Sequence, residues 1–413
     1  MRKRAALGVL VAAVATGAPE AVAERWPSPE VAAEVLAALP AGTVFVAFGP
    51  AADNTLWMAR HVATSREALL SELARPEAYP QAIPSFVRVA DVGTHPRGDG
   101  VDRKVAWELE VPLWNLAGSL WLKPFGTSVQ LRMQEGAFAP GAFTWQHTPS
   151  LAPDASLLVL TGTANTAQAN WATRRIAGRS PLAEPAMTAA AAYVLLEGMS
   201  ALFAPRDTAL GLSKAEGLPR WPQAPREPPP LHALPAHLAV VGPAFSGPVG
   251  LVVRRPNGRL AHVEVAFDTP LSPEAALAAL AEPHRWRALP GWKHIRASTP
   301  VGTQEGGREG SRQRWEVDGS FPFLDFDALW DVTAGKTLRA EAVAGSGTGA
   351  VWAFVARAQA GGARVVFSLH PRLDRLGMVP RKFIDAEPLL EPGLALAVAY
   401  VYAMSLAYTL PGP

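Results

Sequence analysis

The side chains able to do chemistry in this 413-residue chain are few and scattered. His147 follows Trp145 by two positions, so in a regular strand both take one face, and the imidazole would enter an otherwise apolar space as an orienting group or a base. A solvent-facing or core-satisfied histidine fits the same pattern. His61, His262, His284, His294 and His370 show no metal-ligand spacing. Asp325, Asp327 and Asp331 in "GSFPFLDFDALWDV" form a compact carboxylate group that would share one solvated strand face, without the glycine and terminal glutamate of a calcium loop. Glu184-Pro185 and Glu391-Pro392 recur identically, and helix physics accounts for both: a carboxylate meets the positive end of the dipole, and proline fits the first turn. There is no Gly-x-Ser-x-Gly elbow, His-Glu-x-x-His pair, phosphate loop or dinucleotide fingerprint. The expectation is therefore no catalytic constellation, with His147 the sole candidate, no metal and no cofactor.

Aromatic residues are the better candidates for binding. Trp107, Trp121, Trp145 and Tyr193 recur as Trp315, Trp330, Trp352 and Tyr400, and Leu109 shares the face of Trp107. Such rings give broad apolar surface with one polar handle, which suits the wall of a pocket for a lipid, quinone or polyketide-like ring and equally suits a plain core. The recurrence belongs to a longer echo. "LAEPAMTAAAAYVLLEGM" at Leu182 returns as "LLEPGLALAVAYVYAMSL" at Leu389, "LARPEAYPQAIPSF" at Leu73 as "LAEPHRWRALPGW" at Leu280, and "VAWELEV" at Val105 as "QRWEVDG" at Gln313. The chain reads as a tandem repeat.

The elements that must position these residues follow from local patterns. Each copy opens with two β-type runs, the second pair joined by the Asn257-Gly258 turn. A helical stretch broken by proline comes next, then several strands. In "VAWELEV" the residues Val105, Trp107, Leu109 and Val111 take one face, and Glu108 and Glu110 the other. Each copy closes with the echoed segment, too long and alanine-rich for a strand, hence a long helix. The fold class is α+β, an antiparallel sheet with one solvated face and helices on the other. Ala189 to Ala192 in the first closing helix either let it lie close on the sheet or leave room for an apolar ligand. Leu394, Leu396 and Val398 are bulkier in the second, so a roomy pocket is expected in the first copy.

Residues 1–23 carry three basic side chains, an apolar run from Ala5 to Ala18 and "AVA" ending at Ala23, the pattern of a secretory signal peptide. Its apolar run is too short to span a bilayer, and no integral span is expected elsewhere, although transient membrane contact is compatible with the composition. Cleavage removes three basic residues and one acidic, taking 38 and 36 to 35 each. A neutral chain gives no support for a nucleic-acid partner. The absence of cysteine excludes disulfides and thiolate chemistry. A periplasmic or secreted protein is expected, with domain 1 at 24–204, a proline-rich linker at 205–236 and domain 2 at 237–413.

The order of elements, and the words "ARPEAYPQAIPSFVRVADV" and "AEPHRWRALPGWKHIRAS", resemble the helix-grip fold of the START-like (SRPBCC) superfamily, with its polyketide cyclase and coenzyme Q-binding branches. The resemblance implies two tandem helix-grip domains, each a curved antiparallel sheet with two short helices and a long C-terminal helix across it. It also implies an apolar ligand between sheet and last helix, so that the chain would bind or carry a hydrophobic small molecule. Two other functions fit the residues: an aromatase/cyclase-like enzyme steering a bound apolar chain through His147, and an interaction module whose own side chains fill its pockets. Oligomeric state is not readable from the residues.

Overall fold

The structure is a computed structural model, which describes residues 42–50, 53–97, 100–111, 114–149, 156–178, 180–203, 237–239, 247–254, 260–286, 292–304, 308–317, 326–375 and 389–410, with single positions 26, 37 and 384. The expected signal peptide, the proline-rich linker, the Asn257-Gly258 turn and Asp325 lie outside the described residues.

The first half contains β1 (Val44–Phe48), β2 (Leu56–Val62), α1 (Arg66–Leu73), α2 (Ala78–Ala82), β3 (Phe86–Arg97), β4 (Gly100–Val111), β5 (Trp114–Phe125), β6 (Ser128–Gly136), β7 (Phe138–Pro149), β8 (Ser156–Asn165), α3 (Trp171–Ala177) and α4 (Ala183–Ala201). The second contains β9 (Val249–Arg254), β10 (Leu260–Thr269), α5 (Pro273–Ala281), α6 (Pro283–Trp286), β11 (Trp292–Gln304), β12 (Arg308–Val317), β13 (Phe326–Thr333), β14 (Leu338–Gly345), β15 (Val351–Gln359), β16 (Gly362–His370) and α7 (Leu390–Thr409). Local chemistry sets the helix starts. Ser65 accepts the Ala68 N–H at the head of α1, and Ser272 accepts that of Ala275 at the head of α5, where Pro273 takes the first turn. Helix α3 was not foreseen; it starts at a capping box made by Asn170 and Thr173.

The strands form one 16-stranded antiparallel sheet. From the middle outward, one half runs β1-β2-β8-β7-β6-β5-β4-β3 and the other β9-β10-β16-β15-β14-β13-β12-β11, the same order twice. The halves meet where β1 pairs β9, from Val44 opposite Val252 to Ala47 opposite Val249. A separate solvated face for each copy does not describe this centre. Strand β1, "VFVAF", is buried throughout, because each half would otherwise expose an apolar edge strand with unpaired amides, and joining the two edges removes both. On the face away from the long helices, Phe45, Trp57, Val159, Leu251, Val253 and Ala266 form a second apolar layer, with Leu238 buried in it and Trp26 packed against it.

Helix α4 lies on β2 and β8, and α7 on β9, β10 and β16. The two helices also pack on each other: a methyl at Gly393 of α7 would come within 3.1 Å of the Ala190 carbonyl of α4. The alanine run therefore divides its work. Ala189 and Ala192 are fully buried in the core, while Ala190 admits α7. Among the described residues α7 is the one helix long and apolar enough to cross a membrane by length and composition, and half of its most apolar stretch is buried.

Candidate functional site: an apolar cavity under helix α4

The first half of the sheet holds a cavity of about 210 Å³ beneath α4. Period-two alternation puts Val105, Trp107 and Leu109 of β4 in its wall, and Leu120 and Leu122 of β5. Helical spacing of three and four does the same for Ala191, Val194 and Leu195 of α4. Met133, Phe138 and Phe143 close the far side. Leu390, at the start of α7, reaches in from the other half.

The wall keeps its few polar atoms occupied or hidden. Tyr79 donates its hydroxyl to the Leu73 carbonyl (3.0 Å) and accepts the Trp145 indole N–H (3.2 Å). Burial pushes that hydroxyl well above the ordinary phenol range, with the Trp145 bond opposing in part, so it stays protonated. Trp107 stacks on Phe138 at 5.8 Å and meets Phe86 edge-on at 6.3 Å. Its indole nitrogen is buried with no hydrogen-bond partner among the described residues.

The other residues singled out in the sequence lie elsewhere. Trp121 falls on the strand face opposite Leu120 and Leu122, and its indole donates to Gln134 (2.8 Å). Trp145 is fully buried behind the wall, held by Tyr79. Tyr193 is fully buried beside the cavity rather than in its wall; burial first and the Glu197 charge second raise its hydroxyl far above the phenol range. Tyr400 stacks on Phe48 at 4.1 Å and joins α7 to β1.

His147 does face the Trp145 side of β7, but it is engaged at the strand end. Its Nε2 lies 2.9 Å from the Ser156 hydroxyl, which itself donates to the Thr64 carbonyl (2.7 Å). The hydroxyl proton is thus spent, and the imidazole must donate through Nε2. Burial and the nearby Arg66 charge lower the His147 pKa, offset in part by Glu67; burial and Arg60 lower that of His61. A histidine whose folded pKa lies below its unfolded value near 6.5 stabilises the fold above that pH and loses the contribution as pH falls through the folded value. Urea midpoints are therefore expected to fall from pH 7 to pH 5.5, and His147→Gln/His61→Gln should flatten part of that slope.

In the second half, aromatic rings pack against one another in the corresponding region. Trp315 of β12, the strand in the place of β4, stacks on Trp330 at 4.5 Å. Trp286 of α6, in the place of α2, covers Trp315 (5.1 Å) and Trp352 (5.7 Å). Phe354 and Phe367 stack at 4.7 Å alongside, and all of these rings are buried. Trp286 stands where the first half has the smaller Tyr79, a difference visible in the sequence.

Two buried polar clusters were not expected from the sequence, although His262 of the second was noted there as lacking metal-ligand spacing. Glu197 of α4, fully buried, pairs with Arg60 of β2 and with Arg254 of β9, and Arg60 also donates to Ser200 (2.9 Å). Burial alone would lower the Arg254 pKa, but the Glu197 carboxylate outweighs it and holds the guanidinium charged. Glu264 of β10, also fully buried, gathers His237 and His262. A lone carboxylate inside "YVLLEGM" was the available signal for the first. In the second, His262 and Glu264 are two positions apart on one strand face, but His237, 27 positions before Glu264, is not linked to them by spacing.

No family model matches the chain, and no curated protein matches it. Among solved structures it is similar to the di-domain ARO/CYC StfQ from the steffimycin biosynthetic pathway, at 10% identity over 84% of this chain and 97% of that one, with a TM-score of 0.27. It is also similar to the Zhui aromatase/cyclase from Streptomyces sp. R1128 (14% identity, 38% of this chain, 97% of that one, TM-score 0.28). A START superfamily protein from Mycobacterium smegmatis matches at 20% identity over 27% of this chain and 76% of that one, with a TM-score of 0.24. These three TM-scores lie below 0.5, so what can be said of this chain's function rests on its own cavity.

Proposed function

We propose that this protein binds or carries a hydrophobic small molecule in the cavity beneath α4. The observation that carries the reading is a wall of aliphatic and aromatic side chains around about 210 Å³, in the same molecule whose second half packs Trp286, Trp315 and Trp330 against one another in the corresponding region. An apolar cavity of about 150 Å³ stays dry and accepts benzene, so this one suits a substituted ring or the end of an acyl or prenyl chain. His147 is bonded to Ser156 away from the wall, and the described lining residues include no histidine, carboxylate or lysine.

The reading extends to the whole chain. Each half would be a helix-grip unit, 24–204 and 237–413, joined by the proline-rich 205–236; the repeated strand order and the sequence echoes support it. Residues 1–23 would direct export, on the strength of their basic, apolar and small-residue pattern.

Native mass spectrometry and solvent extraction of the full chain purified from its own host should reveal one equivalent of an uncharged apolar compound. A protein that carries nothing, and that neither binds nor is stabilised by a neutral naphthalene fluorophore, would sink the reading.

A further inference from the structure

We propose that His237, His262 and Glu264 form a site for a borderline divalent d-block cation, Zn²⁺ in the first instance, on the sheet face opposite the cavity. Glu264 lies on β10 between Val263 and Val265, which face the long helices, so its carboxylate enters the second apolar layer. His262, two positions earlier, shares that face. His237 and Leu238 belong to the short helical turn His237–Ala239, and Leu238 is wholly buried in the same layer.

The donor atoms converge. Glu264 Oε1 lies 3.0 Å from His237 Nδ1 and 3.0 Å from His262 Nε2, and all three ligand atoms lie within 4.8 Å of one another. A tetrahedral Zn²⁺ with bonds near 2.0–2.2 Å holds its ligand atoms about 3.3 Å apart, so the carboxylate oxygen would withdraw by a few tenths of an ångström from each nitrogen, and the two nitrogens, within 4.8 Å of each other, would settle near the same separation. Oε1 is also over-supplied with donors, because the His237 backbone N–H (3.1 Å) points at it as well. Replacing two imidazole N–H contacts by one cation relieves that crowding, and each ring keeps a single proton by carrying it on its other nitrogen. Oε2 is held by the Leu238 N–H (2.9 Å), the kind of outer hydrogen bond that orients a ligating carboxylate.

The ligand set selects the ion. Two imidazoles and one carboxylate suit zinc and its neighbours, whereas calcium and magnesium need more oxygens than this site has. His262 and Glu264 are buried, and the His237 side chain is 19% exposed, which leaves an approach on its side. A bound cation would tie the His237–Ala239 turn to the sheet, and so would act on stability rather than on the ligand cavity.

The test uses tag-free full-length protein stripped with a chelator. Calorimetric titration with Zn²⁺ should show one saturable equivalent, with no comparable response to Mg²⁺, and Co²⁺ should give the visible absorption of a four-coordinate nitrogen and oxygen site. His237→Ala, whose side chain is partly at the surface, and Glu264→Gln should each weaken binding by roughly 100-fold or more and abolish the cobalt spectrum. Zn²⁺ should raise the melting temperature of the wild type but not of either variant. No stoichiometric binding by the wild type, or binding retained by His237→Ala, would overturn the site.

Discussion

Glu197→Ala should lower the unfolding free energy by about 3–5 kcal/mol, read as a fall in the urea midpoint with the slope unchanged. The magnitude comes from what is left behind. Removing the carboxylate takes the countercharge from two guanidinium groups, Arg60 and Arg254, whose side chains are only 17% and 9% exposed. A surface pair would contribute at most about 1 kcal/mol, because water would replace the lost partner. Here α4 covers the site, and Arg254 belongs to the other half of the sheet, so the loss also loosens the junction at β1 and β9. Two further measurements separate charge from packing. Glu197→Gln, which keeps the shape and loses the charge, should cost nearly as much, and the triple variant Arg60→Met/Glu197→Leu/Arg254→Met should recover most of the stability. A loss below about 1 kcal/mol for Glu197→Ala would mean that water reaches the arginines and that the triad is not a junction element.

Ala191→Phe should close the cavity. Ala191 is a half-buried wall residue on α4, and a phenyl group there points into about 210 Å³ of open space rather than into a filled core. Affinity for a neutral naphthalene fluorophore is expected to fall at least tenfold, about 1.4 kcal/mol, with the melting temperature unchanged or raised, as filling an apolar void stabilises. The opposite pattern, a fall in stability of about 1–3 kcal/mol with probe binding intact, would show that residue 191 meets packed side chains and that ligands enter elsewhere. His147→Ala should leave probe affinity unchanged, since its imidazole bonds Ser156 outside the wall.

Much of the element plan was legible. The alternation in "VAWELEV", the serine caps before α1 and α5, and the prolines that break each helical stretch are all local signals, decided within a few residues. The α+β class and the antiparallel pairing follow from them. Trp107 and Trp121 were both chosen for recurring in the sequence; Trp107 stands in the cavity wall with Leu109 of its strand face, and Trp121 stands on the far face. The strand registers explain why: Trp330 lies opposite Gln313 as Leu120 lies opposite Val105, so the position matching Trp121 is Asp331, and the apparent recurrence was one residue out of register.

Other features depend on chain segments that meet only in the folded molecule. The residues of β1 show a buried strand but cannot show that its second neighbour is β9, since backbone hydrogen bonds carry no sequence label. Ala190 looked like a contributor to a pocket or to close packing on the sheet, and it admits Gly393 of α7 instead.

What the sequence by itself determined is the order of the main elements apart from α3, the lack of thiol chemistry, and the aromatic inventory of each half, because these depend on composition and on contacts between near neighbours. Only the tertiary structure decided that the halves share one sheet, that space is left under α4 while Trp286, Trp315, Trp330 and Trp352 interlock in the other half, and that Glu197 and Glu264 each gather partners from distant segments. The physical reason is common to all three: free volume and buried charge are properties of how side chains from remote parts of the chain meet, and small differences in their size and reach decide whether a void, a filled core or an ion cluster results.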